Sequence, residues 1–217
     1  MTTSNPPKNI CTTDKFSLKE NTTENTTEST IENDNHFHTT VMTKTQQWVE
    51  CVVIGLNLCP FARAVHIRNK IRYVVNQTPH EADVLLEIIK ELAYLASVDA
   101  DTTDTTLIMF PNVFADFLDF NDFLGEAEDE LWVQGYEGEF QLASFHPYYQ
   151  FAETDNNDTQ NNTNRSPYPT IHILREASID KAITSFPDLS SIYEANILSL
   201  KRLGHEGYND LLRKTTV

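Results

Sequence analysis

Residues 71–110 read IRYVVNQTPHEADVLLEIIKELAYLASVDADTTDTTLIMF, and this stretch decides the fold. IRYVV (Ile71–Val75) alternates and is rich in β-branched side chains, the pattern of a strand. Thr78-Pro79-His80-Glu81 has the form of a capping box with proline at the first helical position. Leu85, Ile88, Ile89, Leu92 and Leu95 then recur at helical spacing and lay one apolar stripe along a helix. TLIMF (Thr106–Phe110) is a short unbroken apolar run, as expected of a strand covered on both faces. Strand, helix and strand in this order imply a right-handed crossover between parallel strands.

Working outward, Gln46–Leu58 is apolar nearly all round, with Trp48, Val52, Leu56 and Cys59 on one stripe. It reads as a buried first helix that Pro60 ends. Beyond Pro111, the spacing of Phe114, Phe117, Leu118, Leu124 and Leu131 predicts an amphipathic helix. Its outer face is acidic: Asp116, Asp119, Asp122, Glu126, Glu128, Asp129 and Glu130. Gly135 and Gly138 bracket a turn, and FQLASF (Phe140–Phe145) reads as a third strand. TIHIL (Thr170–Leu174) is read as a fourth strand, with a helix as the alternative. A helix capped by Ser178 follows, then a last helix from an Asp188 cap to Leu203, closed by Gly204. The sum is an α/β domain, residues 46–212, with a mostly parallel sheet of about four strands flanked by helices. Its long loop, 147–169, is expected to be mobile at its Asn-rich centre and ordered at Asn164–Pro169.

Residues 1–45 are dense in Thr, Asn, Glu and Ser and poor in large apolar side chains. They are read as a disordered leader, because they bury too little to offset their ordering entropy. The whole chain of 217 residues carries 32 acidic against 16 basic residues, a formal charge of -16. Phosphate backbones and anionic membranes are poor partners for such a surface. The three cysteines, Cys11, Cys51 and Cys59, suit a reducing compartment better than a disulfide framework. With no apolar run of about 18 residues and no secretory pattern, a cytoplasmic protein is expected.

The candidate chemistry lies in a few uncommon side chains. His146, after Ser144-Phe145, falls at the carboxyl end of a strand, where ligands of parallel sheets bind. It could act as general base or acid, or only cap the strand. Arg165 stands among Asn164, Ser166 and Tyr168 between a polar loop and two prolines. It could clamp a carboxylate or phosphate, or pair with one of the protein's own carboxylates. His172, Arg175 and Glu176 could form a general base with orienting partners or a buried ion-pair network. Cys59 could be a nucleophile or a small buried hydrophobe. The end of a helix would raise its pKa, whereas the start of one would lower it. His36 and His38 lack a third ligand, so no metal site is expected. No phosphate loop, dinucleotide fingerprint, zinc cysteine pattern or nucleophile elbow is present, and the sequence names no cofactor.

The runs GLNLCPFA (Gly55–Ala62), ASFHP (Ala143–Pro147), TNRSPYP (Thr163–Pro169), HILREAS (His172–Ser178) and RLGH (Arg202–His205) occur in this order. Over about Gln46 to Leu212 the chain resembles an uncharacterised, mainly bacterial family, domain of unknown function 1415. The resemblance implies no activity. The leader and the Asn-rich centre of the long loop are additions to the family pattern, and Glu153 stands where that pattern calls for glycine.

Three functions are compatible with these residues. The first is a cytoplasmic enzyme acting on a small anionic metabolite. In it Asn57, Asn164, Arg165, Ser166, Tyr168 and Arg175 bind, His146 or His172 moves protons, Glu176 orients the imidazole, and Cys59 attacks or lines the pocket. The second is a binding module that docks a basic protein on the acidic helix and the aromatic loop (Tyr148, Tyr149, Phe151). The third is a thiol redox protein using Cys59 with Cys51. These lie about two helical turns apart if their helix is continuous, too far for a disulfide.

Overall fold

The fold follows from where the fourth strand goes. The computed structural model describes residues 26–185 and 189–214. Strands β1 (Ile71–Val75), β2 (Thr105–Met109), β3 (Phe140–Phe145) and β4 (Thr170–Arg175) form one sheet in the order β1-β2-β4-β3. β1 and β2 are parallel, as the crossover through helix α3 (Glu81–Ser97) requires. β4 inserts antiparallel between β2 and β3. The expectation of a mostly parallel sheet is therefore corrected to a mixed, mostly antiparallel one. β1, β2 and β3 do run the same way, as alternating strands and helices dictate, but one reversed strand converts two of the three pairings.

Alternation along β2 divides the core. Ile108 and Phe110 join Ile171, Ile173 and Phe140 under α3 and α4 (Phe117–Val133). Leu107 and Met109 face the opposite layer, with Trp48, Val49, Val52, Leu58, Leu200 and Tyr208. That layer consists of α1 (Thr26–Trp48), a π-helical segment (Val49–Ile54), the short α2 (Ala62–Ile67), α5 (Glu176–Ser185) and α6 (Leu189–Lys214). All five residues of β2 are buried, in accord with the unbroken apolar run. Across the first layer, fully buried Glu91 takes both Arg72 Nε and Nη2, at 2.6 and 3.0 Å, and the guanidinium lies over the Tyr94 ring.

Several boundaries move. α1 occupies residues 26–45 of the stretch read as a disordered leader; the remainder of that stretch, 1–25, lies outside the described residues. The first helix does not run evenly to Leu58: it widens to π geometry, and the chain turns through Asn57 at φ 56. A Cβ on Gly55 would lie 2.2 Å from the Cys51 carbonyl oxygen, so only glycine fits that wide turn. α3 starts at Glu81, after His80, so the capping box does not form. Thr78 Oγ1 instead accepts from the His80 N–H and donates to Asp83. α4 starts after Phe114, which takes φ 60, and Asp116 caps it by accepting from the Leu118 N–H. α5 begins at Glu176 without a Ser178 cap, and α6 kinks at Gly204 and continues to Lys214. The Asp188 cap lies outside the described residues. Among those described, no helix is long and apolar enough to cross a membrane.

The Asn-rich centre of the long loop was expected to be mobile, but it is folded. Thr159–Thr163 form a 3-10 turn, with Asn161 and Asn162 buried. Asn161 holds the Phe151 N–H and Thr154 hydroxyl through Oδ1 and the Asp155 carbonyl through Nδ2. Glu153, where the family pattern calls for glycine, adopts φ 62, a left-handed conformation that costs an L-residue about 1–2 kcal/mol. Glu153→Gly is expected to stabilise the fold by up to about 1 kcal/mol, after the greater chain entropy of glycine is deducted. Urea midpoints of the two proteins would check this; a lower midpoint for the variant would contradict it.

Candidate functional site

The residues singled out in the sequence do not converge. Phe145 pairs with Thr170 and Phe140 with Arg175, so β3 and β4 span the sheet from rim to rim. His146, Asn164 and Tyr168 lie at one rim, Arg175 and Glu176 at the other, roughly 17 Å away by strand rise. His172 sits between them, in the middle of β4.

At the first rim the polar groups satisfy one another. His146 Nδ1 accepts from the Tyr148 N–H at 3.0 Å, so Nε2 carries the proton and donates to the Phe114 carbonyl at 2.9 Å. The ring is buried beside Phe117 and Phe120, and that burial lowers its pKa. It thus ties the end of β3 to the left-handed turn ahead of α4. Arg165 holds its own loop: Nε donates to the Tyr149 carbonyl, Nη1 to Asn162 Oδ1, and Nη2 to both oxygens of Asn156. The Arg165 carbonyl accepts from Tyr208 on α6, and His205 Nε2 meets the Asn157 carbonyl. Asn164 Nδ2 donates to the Ser144 carbonyl, and its backbone carbonyl accepts from the His146 N–H. Ser166 donates to the Tyr168 carbonyl. Asn57 is an exposed turn residue.

At the opposite rim Arg175 closes α3. Its Nη2 donates to the carbonyls of Leu95, Val98 and Thr103, at 2.7, 2.6 and 3.2 Å, where a helix end leaves acceptors without partners. Glu176 begins α5 on the side of Phe140 and Leu142, away from His172. The expected His172–Arg175–Glu176 set is therefore split between the two faces of the sheet.

His172 and Cys59 do share a place. A cavity of about 290 Å³ lies over the sheet face that carries Thr105, Leu107, Ala143, Phe145, His172 and Leu174. Trp48, Val49 and Val53 wall it from the π-helical segment, and Cys59, Phe61, Ala62 and Val65 from the chain leading into α2. Ile179 and Ala182 of α5 close it, and Asp104, Arg175 and Ser178 stand at its end. Its lining runs from Ile71, Asp104 and Arg175, at the rim where β1, β2 and β3 begin, to Phe145 at the end of β3. A reversed central strand and the loop held by Arg165 fill the place where a parallel sheet would have its crevice.

Both chemical groups in this wall are uncharged near neutrality. Burial lowers the His172 pKa from 6.5 to about 4. Burial raises the Cys59 thiol, offset only in part by the Phe61 and Ala62 N–H groups. Cys59 does not end a continuous helix, as its sequence suggested; it stands in the turn before α2. Sequence reasoning missed Thr105, whose hydroxyl lies 2.6 Å from His172 Nε2. The only available signal was its place two residues before Leu107 on a strand, and its use depends on which strand lies alongside.

Comparison with known proteins adds a family. The family model described as "Protein of unknown function (DUF1415)" matches residues 40–210, from the second half of α1 to the last turns of α6. No curated protein and no solved structure matches the chain. Among the described residues no group of three potential ligands could hold a metal ion.

The state of His172 yields a pH prediction. The unfolded imidazole titrates near 6.5 and the folded one near 4. Between these values the unfolded chain binds more protons, so stability present above the upper value is lost as pH falls toward the lower. The loss is about 1.4 kcal/mol per pH unit. His146, lowered in the same direction, adds to the slope. His172→Leu is expected to flatten the dependence of the urea midpoint on pH in this window; identical slopes would contradict the assignment.

Proposed function

The chain belongs to the DUF1415 family of proteins of unknown function, and we propose that it binds a small, largely apolar, uncharged molecule in the cavity between the sheet and α2–α5. The observation that carries this is the cavity itself: about 290 Å³ with walls that are nearly all carbon. Ligand sites are concave, mostly apolar and carry few polar groups for orientation, and this volume is at the small end of their range. An apolar hollow of about 150 Å³ takes one benzene ring, so a body of about two fused rings fits here. An ion in the same place would lose its hydration against carbon, with Asp104 and Arg175 only at the cavity's end and each already bonded to protein groups. The anionic-metabolite reading gains no support from the two guanidinium groups, since Arg165 does not line the cavity and Arg175 turns Nε and Nη2 to backbone carbonyls. A thiol nucleophile gains none either, because the cavity favours thiol over thiolate. The low cysteine count of the chain, three in 217 residues, suits a reducing compartment, and on that ground we assign the protein to the cytoplasm.

Trp48 in the cavity wall supplies the test, since only one other tryptophan, the exposed Trp132, is present. In a Trp132→Phe background, naphthalene-sized compounds are expected to change Trp48 emission saturably. Ala143→Leu, which fills the floor, is expected to weaken that binding at least about tenfold, the effect of losing 1.4 kcal/mol. Emission that never saturates, or a filled cavity that binds equally well, would remove the proposal.

A second reading rests on the surface of α4. Asp119, Asp122, Glu126 and Asp129 form an exposed stripe with no salt bridge among the described residues, flanked by exposed Leu118 and Trp132. Phe117 packs against Tyr149, ring centroids 5.0 Å apart and tilted, and joins the helix to the loop that exposes Tyr148. A basic protein segment suits this surface by charge. Salt-sensitive retention on immobilised poly-lysine is expected to fall after Asp122→Lys with Glu126→Lys; equal retention would argue against it.

A further inference from the structure

We infer that the molecule held in the cavity is a hydrogen-bond donor, a neutral hydroxyl or N–H compound on a bicyclic-sized apolar body, recognised by His172 Nδ1. The inference rests on the cavity-binding reading and adds the polarity of the ligand. Three atoms set it. The Thr105 hydroxyl is 2.5 Å from the Ile173 carbonyl oxygen and 2.6 Å from His172 Nε2. A hydroxyl has one hydrogen, and a carbonyl can only accept. Two oxygens at that separation require the hydrogen between them, so Thr105 donates to Ile173. The remaining contact then needs its hydrogen from the ring, and Nε2 is the protonated nitrogen. Nδ1 is left as a bare lone pair. It has no partner among the described residues, and the ring is part of the cavity wall. A neutral imidazole with one nitrogen protonated and fixed presents an acceptor at the other, and burial keeps it neutral.

Elsewhere in the wall the polar groups are Asp104, Arg175 and Ser178, gathered at one end, and the remaining lining is nearly all carbon. The Ser178 hydroxyl donates to Asp104 at 2.5 Å, and the Arg175 Nη2 donors are taken by carbonyls. The Cys59 S–H is a weak donor. A ligand bearing only acceptors would leave Nδ1 unpaired. A charged amine would gain Nδ1 but lose its hydration to a carbon wall. An alcohol, phenol or indole-type N–H satisfies the nitrogen and keeps its body in the apolar space. Thr105 is a positioning residue here: it touches the imidazole, not the ligand.

The experiment compares 2-naphthol, 2-methoxynaphthalene and naphthalene, read by Trp48 emission in the Trp132→Phe chain. The three share a body and differ in carrying a donor, an acceptor only, or neither. 2-Naphthol is expected to bind at least about tenfold more tightly than 2-methoxynaphthalene, the scale of one well-placed hydrogen bond in a dry site. His172→Leu is expected to abolish that preference while naphthalene still binds. Thr105→Val, which frees the ring to carry its proton on either nitrogen, is expected to shrink it. Thr106→Val, on the other face of β2, serves as the control and is expected to preserve it. If all three compounds bind the parent protein equally, or the preference survives His172→Leu, this inference is overturned and the cavity reading stands. If none binds, both fall.

Discussion

The arrangement depends on a reversed strand held between two others. β4 pairs with β2 on one side and β3 on the other, antiparallel to both, so none of its length is a free edge. Strand alternation then does two jobs at once. Ile171 and Ile173 are fully buried under α3 and α4, and between them His172 is driven to the opposite face, into the cavity wall. The imidazole is placed by the apolar neighbours that anchor the strand. A register shift of one residue would exchange the faces, leaving His172 in the dense core and isoleucine over the cavity.

The two arginines most conspicuous in the sequence share a task. Arg175 gathers the carbonyls at the end of α3. Arg165 gathers those of a long loop whose own backbone hydrogen bonds are confined to short turns. A guanidinium carries five donors in a rigid fork, which makes it suited to collecting stray backbone acceptors. Burying such a charge beside carbonyl dipoles costs less than leaving several carbonyls unpaired in the interior. His146 completes the pattern with one ring nitrogen donating and the other accepting, both to backbone. Arg165, Arg175 and His146 thus each hold irregular chain by bonding its backbone.

What could be read from the sequence tracks how local its cause is. β1, α3, β2 and β3 were legible to within a residue or two at most ends, because periodicity is a property of neighbours along the chain. The start of α4 was missed because Phe114 continues the apolar spacing while taking a left-handed turn, and Asp116 was counted as face rather than cap. α1 was missed over residues 26–45 because a polar helix has no stripe to reveal it until Val41, Thr45 and Trp48 meet the core. The direction of β4 has no local signature; it is set by which edges remain open after β2 and β3 are placed. The cavity was illegible for the same reason, since its wall is drawn from the π-helical segment, α2, all four strands and α5. Of the proposed site residues only His172 and Cys59 share it with Arg175, whose Nη2 donors are turned to other work.

Electrostatics then select among uses for the space that remains. A site for an anion needs a positive group with unsatisfied donors, and a site for thiolate chemistry needs something to stabilise the negative sulfur. Here burial acts on the two groups in opposite senses and with the same result: the imidazole loses its proton and the thiol keeps its own. Each is the uncharged form that a carbon-lined hollow tolerates. A protein with a formal charge of -16 thus carries a hollow whose charged groups, Asp104 and Arg175, are confined to one end. Neutral molecules enter its carbon-lined part at little electrostatic cost, while ions leave water there for walls of carbon. Discrimination inside must come from shape and from the direction of a hydrogen bond, and the Thr105 hydroxyl, committed to the Ile173 carbonyl, fixes that direction.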